Sequence, residues 1–208
     1  MKKAVLILAA AAVTGTGFSQ VSIDPEAGLN IASIRTKLGN NDASNSDSKT
    51  GFSVGAGVTL PIYKGLYVKP GISYQMLGGT TEILGVESAT TMHYLRVPVN
   101  LGYSLKLSDK AGAIFAEAGP YIGMGLAGKT KVTGLSNITI EKDITFGSKV
   151  DETKAFDWGF NFGLGYETPW GVYIKGGYGL GLGNMSNMNN TTMTHNNWNI
   201  GVGYRIKI

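Results

Sequence analysis

Cysteine is absent from all 208 residues, which excludes disulfides, thiolate nucleophiles and a lipoprotein anchor. Charge is scarce as well. Charged residues make up 15% of the chain, against ~25% in an ordinary soluble domain, so little of its surface is built to face water. Long apolar runs are missing beyond residue 13. None approaches the ~18 residues a membrane-spanning helix requires, so a transmembrane helix is excluded. The two histidines, His93 and His195, belong to no triad evident in the sequence. Glycine, in contrast, is plentiful at 31 residues. Each glycine costs a helix about 1 kcal/mol, so a helical fold is disfavoured.

The first residues read as a secretory signal. Lys2 and Lys3 form a basic start, Ala4 to Val13 is a short apolar stretch, and Gly17-Phe18-Ser19 offers a cleavage site before Gln20. The expected organisation is a signal peptide over 1–19 and one domain over 20–208. Its removal leaves 16 basic and 14 acidic residues, a net charge of +2, from which no nucleic-acid partner is expected.

Period two dominates the rest of the chain, and that is the period of a strand. Between 156 and 167, Phe156, Trp158, Phe160, Phe162, Leu164 and Tyr166 alternate with Asp157, Gly159, Asn161, Gly163, Gly165 and Glu167. The last segment alternates Ile200, Val202, Tyr204 and Ile206 with Gly201, Gly203, Arg205 and Lys207. Similar patterns recur around 53–60, 68–76, 94–106, 114–126 and 172–183, with a less regular strand near 26–36.

Connections alternate in length. Tight turns are expected at 63–65, 108–112 and 169–171, and long polar loops at 37–50, 78–90, 128–154 and 184–196. Short turns at one rim and long loops at the other describe an outer-membrane barrel. The expected fold is therefore all-β: a single transmembrane antiparallel up-and-down β-barrel of about eight strands. Both termini and the short turns would face the periplasm, with the long loops extracellular.

The polar face decides between a membrane barrel and a soluble one. A water-facing exterior is rich in Lys and Glu, whereas this face is mostly Gly, Ser and Asn. Small residues suit a narrow lumen, so the bulky apolar face points to lipid. Phe52, Tyr74, Trp158 and Trp198 are expected in an outer aromatic girdle, with Tyr103, Tyr166 and Tyr204 in an inner one. Pro70, Pro98 and Pro120 fall within strands and predict local bulges or bends.

Tyr94-Leu95-Arg96-Val97-Pro98-Val99-Asn100, Glu117-Ala118-Gly119-Pro120-Tyr121, Tyr178-Gly179-Leu180-Gly181-Leu182 and Gly201-Val202-Gly203-Tyr204-Arg205 occur in that order. In this the sequence resembles the PorT-like outer-membrane β-barrel family of Bacteroidetes. The resemblance implies the barrel fold and the outer-membrane location, but no single activity; the founding member is linked to protein secretion. Asn199-x-Gly201-x-x-Tyr204-x-Ile206 resembles a barrel-assembly signal. Lipid and the assembly machinery are thus expected partners, with envelope or secretion proteins as further ones.

Ten charges point to the expected lumen: Glu26, Lys69, Arg96, Lys106, Glu117, Asp157, Glu167, Lys175, Arg205 and Lys207. Unpaired charge in a narrow, partly dry space is costly. They are expected to form a network, with Glu167 near Lys175 and Glu26 near Arg205, acting as a structural plug more than as an ion path.

Glycines at 176–183 fall at period two within a strand and lack the following helix that a dinucleotide loop requires. Met185, Met188, Met193 and His195 carry the thioether and imidazole groups that suit copper(I), yet sit in an Asn-rich stretch read as a plain polar loop. No metal, cofactor or catalytic residue is assigned. The functional expectation is a structural or surface-interaction barrel. The alternative is a narrow pore or secretion component. An outer-membrane enzyme drawing on Asp157, His93 or His195 is set aside.

Overall fold

A computed structural model describes residues 21–39, 43–108, 110–134, 138–150 and 152–208. The signal peptide expected over 1–19 lies outside them. Within the described residues all regular structure is strand. Eight long strands form a closed antiparallel ring: β1 (Ser22–Leu38), β3 (Asp47–Tyr63), β4 (Leu66–Ile83), β5 (Val86–Ser108), β6 (Gly112–Thr133), β8 (Phe156–Glu167), β9 (Val172–Gly181) and β10 (Thr191–Tyr204). Neighbours in sequence are neighbours in space, and β10 pairs with β1 from Glu26↔Gly203 to Leu38↔Thr191 to close the ring. Closure gives each of these eight strands a partner on both sides.

Three short strands extend this wall. β2 (Ser44–Asn45) adds to β1, β7 (Thr139–Asp143) adds to β6, and β11 (Ile206–Lys207) continues β10 along the start of β1. The Ile208 N–H donates to the Val21 carbonyl at 2.8 Å, so both ends of the described chain meet at one rim. That turn rim also holds the tight connections, including Lys64-Gly65, both at positive φ. The opposite, loop rim carries the long ones.

Several expected loops are strands. The segment at 78–90 is a continuous hairpin, closed by Leu84-Gly85 with φ of 53° and 76°. Those angles match a two-residue turn whose twist follows that of the flanking strands. Its Thr80, Thr81, Thr90 and Thr91 are β-branched and stay in the ladder. Likewise β6 runs on to Thr133 and pairs β7 inside the expected 128–154 loop, β10 begins at Thr191, and β1 ends at Leu38.

At Pro70, Pro98 and Pro120, where bulges or bends are expected, no bulge forms. Pairing lapses beside each proline, but the register is the same on both sides, Pro70↔Val99 resuming as Ser73↔Arg96 and Pro98↔Tyr121 as Leu101↔Ala118. The missing N–H is absorbed by skipping ladder bonds rather than by inserting a residue. True register shifts lie at Ser48/Ser53, Pro61/Tyr63, His93/Tyr94 and Lys106/Ser108.

Burial alternates residue by residue, with the apolar side out. In β8, Phe156, Trp158, Phe160, Phe162, Leu164 and Tyr166 are all exposed, while Asp157 and Glu167 are buried. Phe52, Trp198, Tyr103 and Tyr204 lie on the same outer surface, and Trp198 remains 64% exposed. Tyr74 is half-buried beside Phe52, ring centres 5.6 Å apart.

Glycine makes room for aromatic rings inside. A methyl group added at Gly102 would overlap the Tyr67 ring. One at Gly203 would overlap Tyr173, and one at Gly165 would overlap Phe115. Each ring therefore lies flat over a glycine of a neighbouring strand, a cross-strand device that covers exposed backbone and pins register.

Candidate functional site

The lumen holds two clusters of charge at different heights. The one nearer the turn rim is a web of three cations and four carboxylates. Lys175 Nζ lies 2.8 Å from Glu26 and 3.0 Å from Glu117. Lys69 lies 3.5 Å from Asp24 and 3.9 Å from Glu117. Arg205 reaches Asp24 through Nε at 3.3 Å and bonds Glu167 through its terminal nitrogen. Asp24 is fully buried and also accepts the hydroxyls of Ser22 (2.8 Å) and Thr59 (2.6 Å). Alternation places these chains: Lys69, Glu117, Glu167 and Lys175 all replace a small residue on the inward face of their strands.

Aromatic rings wall this web. Tyr173 donates to Glu26 at 3.0 Å, and Arg205 sits within 5.8 Å of the Tyr67, Phe115 and Tyr173 ring centres. Guanidinium over ring faces is attractive, and more so where water is excluded.

The second cluster is smaller and deeper. Arg96 Nη2 meets Asp157 at 3.0 Å and also contacts His195 Nε2, which lies 3.1 Å from the same carboxylate oxygen. Arg96 Nη1 donates to Gln75 at 2.9 Å and Asn197 at 3.4 Å, and its guanidinium stacks 4.1 Å over Tyr121. Arg96, Asp157 and His195 are each 1% exposed. Six residues separate Arg96 from Gly102, the register partner of Glu117, which is roughly 20 Å of strand. A cavity of about 100 Å³ adjoins the first cluster at Lys175 and Glu117 and extends to Gln75, the partner of Arg96, with Asn30, Asn100, Asn161 and Asn199 around it.

Above Arg96 the lumen turns apolar. Ala32, Ile34, Leu77, Met92, Tyr94 and Met185 form a buried cluster, covered by Ile144, Phe146 and Met193. The segment after β7 folds over this end: Thr153 bridges both Phe146 and Ser186, and the Lys154 N–H donates to the Met185 carbonyl at 2.9 Å.

The two expected pairings are corrected. Glu167 bonds Arg205, and Lys175 bonds Glu26 and Glu117. Register explains the exchange. Glu167 faces Tyr173 and Glu26 faces Gly203, so Lys175 and Arg205 each stand two residues along from the expected partner. Across a narrow lumen, strands that share no ladder approach as closely as ladder neighbours do.

Lys106 and Lys207 are exposed and line a mouth of about 920 Å³ at the turn rim, outside the buried web. His93 lies away from His195, accepting or donating at 2.6 Å with the Tyr74 hydroxyl. The Met185–His195 stretch is not a plain polar loop, since both of those side chains are 1% exposed. Sequence reasoning missed Asp24 and the inward tyrosines 67, 94, 121 and 173. The signal was present, because each falls on the small-residue side of its alternation.

Surface charge behaves differently. Lys131 and Glu141 pair at 2.6 Å on the β6–β7 hairpin, and this hydrogen bond with its attendant charge holds the Glu141 carboxyl below its ordinary range. Both side chains are about half exposed, so the pair adds little to stability.

A closed antiparallel ring, with lipid-compatible side chains outside and paired charges inside, is the build of a membrane-spanning β-barrel. The family described as "Outer membrane protein beta-barrel domain" matches residues 15–187, and the chain belongs to it. It is an outer-membrane β-barrel protein. Among solved structures it is similar to the attachment invasion locus protein Ail of Yersinia pestis, at 14% identity over 90% of this chain and 100% of that one, TM-score 0.41. It is similar to Neisserial surface protein A at 13% identity over 92% and 99%, TM-score 0.46. The outer-membrane protease OmpT of Escherichia coli resembles it at 12% identity over 94% and 99%, TM-score 0.30. No curated protein sequence matches the chain.

Proposed function

We propose that this barrel is a closed, non-catalytic envelope component that acts through its outer surface and loops, with a structural or surface-interaction role. One observation carries the reading: two ion-paired clusters and an apolar cap stand one above another in the same narrow lumen, leaving about 100 Å³ between the clusters. Moving ions past them means breaking buried pairs, each costing about 3–5 kcal/mol once a partner is lost. The non-catalytic reading draws on the histidines, one engaged with Tyr74 and the other sealed between Arg96, Asp157 and Met185. Reconstituted into a planar bilayer, the protein is expected to give no steady conductance above the bare membrane. Large, stable current steps would replace the plug by a pore.

The PorT-like relationship and a Bacteroidetes source belong to the same proposal. Their support is the two motifs that place Arg96 and Glu117 in the lumen. Orientation belongs to it too: turn rim and termini in the periplasm, loop rim outside, with lipid and the assembly machinery as partners. Because the chain lacks cysteine, single-cysteine labelling is unambiguous. On intact cells an impermeant maleimide is expected to modify Lys142→Cys on β7 and to spare Lys64→Cys in the tight turn. The opposite pattern would invert the assignment.

A further inference from the structure

The apolar cap above Arg96 contains soft donor atoms facing one another. Met185 Sδ lies 3.1 Å from His195 Nδ1. The Tyr94 hydroxyl lies 3.2 Å from that sulfur and 3.9 Å from Met92 Sδ, so both thioethers border this one hydroxyl. Met92, Met185 and His195 are at most 2% exposed. They come from β5, from the segment after β9, and from β10, and the chain holds them firmly. Asn184 accepts from the Met193 and Ser186 N–H groups, while the Met185 N–H donates to the Met193 carbonyl.

Chemistry gives this arrangement a ligand class. A thioether has no proton to donate, and it is a weak acceptor. With the imidazole proton on Nδ1, the ring makes only a weak bond to sulfur. That tautomer lets Nε2 accept from Arg96; a cation binding Nδ1 displaces its proton, and Nε2–H then donates to Asp157, 3.1 Å away. A carboxylate behind the far nitrogen is the usual support of a metal-ligating histidine. Thioether and imidazole together select soft monovalent cations of the copper(I) class over calcium, magnesium or zinc. Among the described residues no group of three or more His, Asp or Glu side chains is set to hold a metal, so a hard-ion site does not compete.

Depth supplies a route. Met188 is 57% exposed, Met193 is half-buried, and Met185 is sealed. One eleven-residue stretch, Met185 to His195, thus presents thioethers at three successive depths.

We propose that Met185, Met92 and His195 form a buried site for a soft monovalent cation, copper(I) or silver(I), reached by way of Met188 and Met193. Silver(I) nitrate in chloride-free buffer is the redox-inert probe, titrated into the folded full-length barrel in detergent with its methionine methyl groups carbon-13 labelled. At one equivalent the Met185 and Met92 methyl resonances are expected to shift and saturate, while outward-facing Met124 stays still. Met185→Leu conserves volume and is expected to weaken silver affinity at least tenfold, as is His195→Ala. The site is overturned by wild-type protein lacking saturable one-equivalent binding, by shifts confined to Met188, or by Met185→Leu binding as wild type does. Should a variant not fold, the identity of the shifting wild-type methyls decides the matter alone.

Discussion

Replacing Arg96 with methionine is expected to cost about 3–5 kcal/mol of stability, because it strands the Asp157 carboxylate in a dry interior. Both side chains are no more than 2% exposed, and Arg96 also serves Gln75, Asn197 and the Tyr121 ring face. Urea unfolding of the barrel from phospholipid vesicles, followed by its gel mobility shift, measures the loss. The double variant Arg96→Met with Asp157→Leu is expected to recover much of it, since two apolar chains leave no charge unpaired. A single variant within about 1 kcal/mol of wild type would mean that water reaches Asp157 and the lumen is not dry there.

Gly102→Val is expected to be nearly as damaging, although it adds only three carbons. The first of them would occupy space taken by the Tyr67 ring, which is 3% exposed and held between Arg205 and Glu117. Overpacking of this kind costs about 1–3 kcal/mol, and the upper end applies where the displaced ring cannot turn away. Tyr67→Ala alone is expected to cost about 3–5 kcal/mol for the lost ring. In that background Gly102→Val should do little harm, so the two effects fall well short of adding. The same unfolding assay completes the cycle. Full additivity would show that the ring and the glycine are energetically independent, against the geometry.

Much of the wall was legible in the sequence because bilayer and lumen impose opposite demands on alternate residues. The stretch 156–167 read as a strand from alternation alone, and β8 has those bounds. Beyond the apolar band that contrast fades. At 80–91 threonines and acidic residues serve both faces, so a hairpin read as a loop. The start of β1 was missed for a related reason. Pro25 interrupts its pattern, and with it went Asp24, which joins Lys69 and Arg205. Tyr67, Tyr94, Tyr121 and Tyr173, which the expected girdles and charge network left out, turn inward, and Tyr67 and Tyr173 fill the space that glycines of the neighbouring strand leave. Which charges meet across the lumen depends on strand tilt and stagger, and no short stretch of sequence encodes those.

The seam between β1 and β10 joins residues about as far apart as the chain allows, Glu26 with Gly203. It cannot zip until the final strand has arrived, and until then two long hydrogen-bonding margins stand open to any other chain. Such distant pairing is slow to form and prone to aggregation meanwhile. Until the two ends are brought together, whatever shields those margins from other chains decides whether the ring closes on itself.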